Sequence, residues 1–331
     1  MRRTAHLIAA AAVAIAFGGA PAGAAVVRTF VSGQGVDTGT CAVTAPCRSF
    51  AYAITQTAAA GEIVVLNSAG YGTVTISQAV SITNEEGVEA AVSVASGDGI
   101  TVSAGGSDTV TLTGITLTGG GGANGITFSS GGTLNVVNCV ARGFTSNGLN
   151  LVPATNGANA NVVDTVVADN ANDGIDFAPS VIANAVFHRV VALGNSNVNI
   201  LVDGSHVSVI VAGAAQAVAA LPAVEAIASD TIASGNSPSG SVATNYGYEV
   251  VGQVPGAAVV RTVFVVANSK TSGGANGVTA SNGIMYLNGT TITGTTQFGF
   301  DVASGGTIAT FGNNANTASS NSGTLTSVAL Q

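Results

Sequence analysis

The sequence of 331 residues has no tryptophan, a single lysine and only 7% charged residues. A coiled coil needs abundant charged residues, and a disordered chain needs high charge with low hydrophobicity, so both classes are excluded. Acidic residues outnumber basic ones by 16 to 8, and the formal net charge is −8. Nucleic acids and anionic membranes attract basic surfaces, so we predict neither as a partner.

The sequence is instead rich in glycine, with 45 residues, and in hydrophobic residues, which make up 47%. Val, Thr, Ala and Ile make up most of the residues other than glycine. Val, Ile and Thr are enriched in strands, and glycine tolerates the positive φ angles that tight turns need. This composition predicts a β-rich protein with many short turns.

The first residues have the features of an export signal. Arg2 and Arg3 precede an apolar run over residues 7–17, and Ala22-Gly23-Ala24 is a small-residue cleavage site. We therefore expect residues 1–24 to be removed as a signal peptide and the mature protein to be periplasmic or extracellular. No later segment is predicted to span a membrane.

Three cysteines remain after the predicted cleavage site, and export would take them to an oxidising compartment. Cys41 and Cys47 enclose five residues in a Gly/Thr-rich loop, and we predict a disulfide between them. Cys139 lies in an apolar strand pattern, which predicts a buried free thiol. No histidine lies near a cysteine, and we predict neither a metal site nor a cofactor.

A short phrase, glycine or asparagine followed by an apolar residue, recurs about every 25 residues. It begins at Gly99, Gly125, Gly148, Gly174, Asn199, Gly247, Gly277 and Gly299. A period of 20 to 30 residues with short β runs is typical of stacked coils whose strands pair in parallel. We predict an all-β parallel β-helix of about nine coils over residues 61–331, with insertions near residues 204–222 and 237–245.

A second phrase also recurs, in which a small or polar residue separates two short apolar stretches. It predicts that this residue lies at the same turn of successive coils: Gly114, Asn138, Asp164, Arg189, Asp230, Thr262 and Gly289. Stacking would place Arg189 about 4.8 Å in backbone from Asp164 and from Asp230, which predicts a structural charge ladder. Six residues after four of these turns stand Asn170, Asn195, Asn236 and Asn268. Their amides are predicted to form a hydrogen-bonded ladder; the alternative is turn asparagines without a ladder.

Residues 28–82 resemble the start of a known family. A strand and a Gly/Asp loop lead past the two cysteines to Arg48-Ser-Phe-Ala-Tyr-Ala-Ile, followed by Gly61-Glu-Ile-Val-Val-Leu and Gly70-Tyr-Gly. This order resembles the opening of right-handed parallel β-helix proteins of the pectate-lyase-like superfamily, although Glu62 stands where that family often has Asp. The resemblance implies a right-handed β-helix with an N-terminal cap over residues 25–60. Ser49 is expected to cap a helix over residues 50–60.

The resemblance implies enzymes that act on acidic polysaccharides, through Asp-bound Ca²⁺ with an Arg or Lys base in the lyases, or through three Asp in the hydrolases. The hydrolase signatures Asn-Thr-Asp, Asp-Asp, Gly-His-Gly and Arg-Ile-Lys are absent, and the one adjacent acidic pair is Glu85-Glu86. The densest acidic set is Asp164, Asp169, Asp173 and Asp176. Asp173 and Asp176 are expected to point to opposite faces of a strand, so we predict no catalytic residues.

Three functions remain open. The first is an exported, non-catalytic β-helix that binds a glycan or another cell-surface component, or acts structurally, with Tyr246 and Tyr248 as candidate ligand contacts. The second is a polysaccharide lyase or hydrolase acting on acidic polysaccharide. The third is an adhesin-like solenoid whose insertion at residues 204–222 recognises a protein. The missing catalytic signatures favour the first.

Overall fold

The structure is a computed structural model that describes residues 26–84, 87–207, 223–234, 246–252, 261–318 and 320–328. The predicted signal peptide, the Glu85-Glu86 pair, most of the 204–222 insertion and the whole 237–245 insertion lie outside these residues. Within the described ranges, one helix, α1 (Phe50–Gln56), accompanies strands that form three parallel sheets. No helix in these ranges is long and apolar enough to cross a membrane.

The strands follow one another around the coil and stack into the three sheets. Sheet I contains β1 (Val26–Val31), β2 (Thr57–Val65), β5 (Val80–Asn84), β8 (Thr109–Thr113), β11 (Thr133–Val137), β14 (Ala158–Val163), β17 (Ala183–His188), β20 (Ala223–Ser229), β23 (Arg261–Ala267), β26 (Ile284–Asn288), β29 (Thr307–Thr310) and β31 (Thr326–Ser327). Sheet II contains β3 (Ala69–Gly70), β6 (Ala90–Val94), β9 (Ile115–Gly119), β12 (Val140–Arg142), β15 (Val166–Ala168), β18 (Val191–Leu193), β21 (Ile232–Ser234), β24 (Lys270–Ser272), β27 (Thr291–Thr293) and β30 (Ala315–Asn316). Sheet III contains β4 (Val74–Ile76), β7 (Ile100–Ser103), β10 (Ile126–Ser130), β13 (Leu149–Leu151), β16 (Ile175–Phe177), β19 (Val198–Asp203), β22 (Tyr246–Val251), β25 (Asn276–Ser281) and β28 (Phe298–Ala303).

Successive coils stack in the register that the first repeating phrase predicts. In the described part of the chain, nine coils each contribute a strand to all three sheets, since sheet III has nine strands. Ile126, which follows a repeat glycine, pairs directly with Ile100 on one side and with Leu149 on the other, both in parallel. The predicted right-handed parallel β-helix is confirmed.

The interior of the coil is filled by alternate side chains of each strand, because successive strand residues point to opposite faces. In β17, Ala183, Ala185 and Phe187 are buried, whereas Asn184 and Val186 point outward. The ring of Phe187 meets that of Phe177 edge-on, with 6.5 Å between their centroids. Burial of this apolar surface is the main contribution to stability.

The turn column contains Asn268 where the sequence predicted Thr262. Ser229 pairs with Ala267, so the residue that stacks after Asp230 is Asn268. Asn268 has a φ of 48°, close to the 53° of Asp230, which is the left-handed conformation that asparagine and aspartate tolerate. Thr262 is instead buried inside β23. The prediction was wrong because an insertion precedes β23 and shifts the apparent spacing.

The N-terminal cap contains the predicted helix in a shorter form. Ser49 Oγ accepts a hydrogen bond from the backbone N–H of Tyr52 at 3.2 Å, as expected of an N-cap. The helix ends at Gln56 and not at Ala60, because Thr57 already pairs with Val26 as the first residue of β2. The cap therefore joins sheet I directly, without a linker.

The cysteines are placed as the sequence predicts. Cys41 and Cys47 form a disulfide with 4.8 Å between their Cα atoms, and both are fully buried at the N-terminal end. Cys139 is a free, buried thiol, and burial raises its pKa to about 11. A thiol held in its neutral form is unreactive, so Cys139 contributes to packing.

Candidate functional site

The predicted charge-ladder residues lie at an exposed corner between sheets I and II, where Arg189 pairs with Asp164 and Asp230 contacts His188. Arg189 donates from Nε to Asp164 Oδ1 at 2.5 Å and from Nη2 to Asp164 Oδ2 at 2.6 Å. This hydrogen-bonded pairing holds the pKa of Asp164 below its usual range. Asp230 lies beside the ring of His188, with 3.5 Å between Oδ2 and Nδ1. An exposed ion pair of this kind contributes little free energy and belongs to the surface of the solenoid.

The predicted asparagine ladder is present at two of its four positions. Asn170 Nδ2 donates to Asn195 Oδ1 at 2.8 Å, and both side chains are fully buried. Asn195 Nδ2 donates in turn to the carbonyl of Val167 at 3.2 Å. Asn236 lies outside the described residues. Asn268 was wrongly assigned to this ladder, because it occupies the turn column described above.

The two tyrosines proposed as ligand contacts lie in different environments. Tyr248 is fully buried, donates its hydroxyl to the Thr231 carbonyl at 3.1 Å and packs against Phe264, so it is a core residue. The prediction for Tyr248 was wrong because this residue aligns with Ile200 in the inward column of sheet III. Tyr246 is half-buried beside Glu249, at the edge of the cluster described next.

Five carboxyl groups gather on the outer side of sheet III, and we call them the acidic face: Asp173, Asp176, Asp203, Glu249 and Asp301. Asp176 pairs with Leu201 on the next strand, and Leu201 pairs with Glu249. Glu249 pairs with Thr279, and Thr279 pairs with Asp301. Three carboxyl groups therefore occupy alternate strands of one outward column.

Asp173 lies on the same side of the sheet as Asp176, contrary to the expectation from strand alternation. Strand β16 begins at Ile175, so Asp173 belongs to the preceding turn and the alternation rule does not apply to it. Its charge is close enough to raise the pKa of both Asp176 and Glu249.

The pKa values of three of these carboxyl groups are raised. Burial is the main cause in each case, and it raises the pKa to about 6 for Asp173, to about 7 for Asp176 and to about 7 for Glu249. The neighbouring carboxylates Asp173 and Asp203 add to the shift of Asp176 and Glu249. At neutral pH the acidic face therefore holds carboxylic acids together with carboxylates.

Side-chain amides bind part of the acidic face and leave part of it without a partner. Asn147 Nδ2 donates to Asp176 Oδ2 at 3.3 Å, and Asn276 Nδ2 donates to Asp301 Oδ2 at 3.2 Å. Within the described part of the chain, Asp176 Oδ1 and Asn276 Oδ1 are buried without a hydrogen-bond partner. Unpaired buried polar atoms are costly, so these two oxygens are points of local instability in the acidic face.

A further ladder runs along the turn that enters sheet III. Asp98 Oδ1 accepts from Asn124 Nδ2 at 2.9 Å, and Asn124 Oδ1 accepts from the backbone N–H of Asn147 at 3.0 Å. Asn147 Oδ1 accepts from the backbone N–H of Asp173 at 3.1 Å. Each of these residues directly precedes a repeat glycine, and that position is the signal in the sequence that would have revealed the ladder.

Basic groups are missing from sheet III. None of its nine strands contains lysine, arginine or histidine. The nearest imidazole is that of His206, whose Nδ1 lies 3.5 Å from Asp203 Oδ2. In the ranges that the structure describes, no group of three or more His, Cys, Asp or Glu side chains is placed to hold a metal ion. The face can therefore exchange hydrogen bonds and protons, while its charge repels anions.

Two solved structures share the architecture. Pectate lyase Pel9A has a TM-score of 0.58 at 16% sequence identity, covering 86% of this chain and 74% of that one. A rhamnogalacturonan lyase has a TM-score of 0.51 at 12% identity, covering 80% and 73%. No protein-family model and no curated protein matches the chain. The chain thus has the pectate-lyase-like parallel β-helix fold, and at these identities the likeness concerns the fold alone.

Proposed function

We propose that this chain is an exported protein that binds a polysaccharide along the acidic face. The observation that carries the proposal is the outward column with Asp176, Glu249 and Asp301 on alternate strands. Adjacent strands lie about 4.8 Å apart, so these carboxyl groups recur about every 9.6 Å along the solenoid axis. An evenly spaced row of hydrogen-bonding groups suits a linear polymer with a repeating unit.

The charge of the face favours a neutral polysaccharide. A carboxyl group that is about half protonated can both donate and accept hydrogen bonds, which matches the hydroxyl groups of a sugar. Polyuronates would meet several carboxylates and no cation from the strands of sheet III, so their binding is unfavourable. By their names the two structural neighbours are lyases of pectate and of rhamnogalacturonan, which supports polysaccharide as the ligand class.

Export is part of the same proposal. The signal-like start of the sequence and the buried Cys41–Cys47 disulfide both suit an oxidising compartment. A soluble or wall-bound polysaccharide outside the cytoplasm would then have direct access to the acidic face.

The test is affinity electrophoresis of the mature chain, residues 25–331, in gels that contain neutral xylan, neutral β-glucan or polygalacturonate. We expect retardation by a neutral polymer and about a tenfold loss of affinity in Glu249→Ala. Glu225→Ala is the matched control, because Glu225 points outward from sheet I. Equal losses in both variants, or no retardation by any neutral polymer, would refute the proposal.

Hydrolytic cleavage is the second candidate, and the raised pKa values near 7 of Asp176 and Glu249 favour it. An inverting glycosidase needs an acid and a base about 6.5–9.5 Å apart, close to the two-strand spacing of these residues. Cleavage of the same polymers would release reducing ends and no unsaturated uronate. Polymers that stay intact in a prolonged incubation would restrict the function to binding.

A further inference from the structure

A second concave site lies at the N-terminal end of the molecule. A groove of about 650 Å³ separates α1 from the first two strands of sheet III, within the range of about 300–1,000 Å³ that is usual for small-molecule sites. Ala51 and Thr55 of α1 line one wall, and Thr75 of β4 and Thr101 of β7 line the other. Strand β7 lies three strands from β16, so the groove is about 14 Å from Asp176.

Both walls of the groove are held in place. Helix α1 is capped by Ser49, whose Oγ donates to Asp37 Oδ2 at 2.7 Å while its backbone N–H donates to Asp37 Oδ1 at 2.9 Å. The disulfide just before the helix fixes the same segment. On the other wall, Thr75 and Thr101 are direct partners in neighbouring strands. A site with fixed walls binds its ligand with little ordering cost.

The lining is rich in hydroxyl groups. Hydroxyl-bearing residues supply much of the surface: Thr55, Thr73, Thr75, Ser77 and Thr101. The hydroxyl of Thr57 is already engaged, because it contacts Thr29 Oγ1 and donates to the Ala53 carbonyl, both at 2.8 Å. A threonine presents a hydroxyl and a methyl group side by side, and a sugar ring presents hydroxyl groups beside C–H groups in the same way. Ile54 and Val74 add apolar contact, as is usual in sites for small molecules.

The charge of the lining excludes ionic ligands. Among the residues that the structure describes, no lysine, arginine or histidine lines the groove, so an anion has no partner from them. Asp98 is the one ionisable residue among the described lining residues, and its carboxylate already accepts from Asn124 at 2.9 Å and from Thr127 at 2.6 Å. One carboxylate so engaged is a poor site for a cation. Neutral polyhydroxyl compounds remain as the class that the lining matches.

We propose that this groove is a second saccharide site, which takes a neutral sugar unit or a short neutral oligosaccharide. It goes beyond the polysaccharide binding proposed above, because no residue of the acidic face lines it. The two sites are independent, and each can fail without the other.

The test is isothermal titration of the mature chain with maltotriose, cellotriose and xylotriose. Ala51→Trp places an indole in the groove from an exposed helix position, and Val43→Trp adds the same group to an exposed cap position outside it. Thr75→Val removes one hydroxyl with little change of shape, and Thr118→Val is its control on sheet II.

We expect at least one trisaccharide to bind, with about a tenfold loss in Ala51→Trp and about a fivefold loss in Thr75→Val. Val43→Trp and Thr118→Val should stay within twofold of the unmodified chain. The inference is overturned if no trisaccharide binds, or if the loss appears in Glu249→Ala and not in Ala51→Trp. The latter result would assign the binding to the acidic face.

Discussion

Glu249 lies in the same outward column of sheet III as Asp176, two strands further along the solenoid, with Leu201 between them. The two carboxyl groups are far apart in the sequence, and only the stacking of coils brings them to one face. Burial raises the pKa of both to about 7. This pair is the centre of the acidic face, and its titration has a measurable effect on the whole protein.

The first prediction concerns the pH dependence of stability. The folded-state pKa values of Asp176 and Glu249 lie near 7, above the ordinary values near 4, so the folded state binds more protons between these limits. The free energy of unfolding should therefore fall as pH rises from about 4 to about 7 and level off above that.

Thermal unfolding at pH 5 and pH 8 would measure this effect as a Tm that is a few degrees higher at pH 5. The double variant Asp176→Asn, Glu249→Gln should flatten the profile, whereas Glu225→Gln, on exposed sheet I, should leave it unchanged. A slope that is the same in the double variant would contradict the assignment.

The second prediction concerns the disulfide. Replacing both Cys41 and Cys47 by alanine opens a short loop, and the chain-entropy account predicts a loss of about 2–3 kcal/mol in the free energy of unfolding. Urea denaturation would measure it. Dithiothreitol should destabilise the unmodified chain and leave the double variant unaffected, and Cys139→Ala should keep the sensitivity to reductant.

The third prediction concerns the buried amides. Asn195→Ala removes the acceptor for Asn170 Nδ2 and the donor to Val167, leaving both groups unpaired inside the coil. We expect a loss of about 3 kcal/mol in the free energy of unfolding. Asn184→Ala removes an exposed amide contact to Asn159 and should change the same quantity by less than about 0.5 kcal/mol. Equal effects would mean that the buried ladder adds nothing.

The fourth prediction separates the two tyrosines. Tyr248→Phe loses the hydrogen bond to Thr231 and should reduce the free energy of unfolding by about 1 kcal/mol without changing polysaccharide affinity. Tyr246→Ala, at the edge of the acidic face, should weaken binding. A loss of affinity in Tyr248→Phe at unchanged stability would restore Tyr248 as a ligand contact.

The fold could be predicted from the sequence because each coil repeats the same local signals. A glycine followed by an apolar residue marks the entry to sheet III. The apolar residues that follow Gly125 and Gly148 are Ile126 and Leu149, and they pair with each other as expected. The helix cap at Ser49 is a local signal as well. The exact helix end could not be read, because pairing of Thr57 with the distant Val26 decides it.

The acidic face was missed although its signal is present. Asp176, Glu249 and Asp301 each stand two positions after a repeat glycine, which is an outward position of sheet III. Each of the three residues lies two coils from the next, so they do not form a cluster along the chain. Tyr248 stands one position after the repeat glycine Gly247, which is an inward position of sheet III. Tyr248 is buried for this reason.

A crystal structure of residues 25–331 with the neutral oligosaccharide that binds most tightly would test the central claim most directly. We predict ordered sugar over the outer side of sheet III, with hydroxyl groups within hydrogen-bond distance of Glu249 and of Asp301. Sugar bound only over sheet I or sheet II, with the acidic face unoccupied, would contradict it.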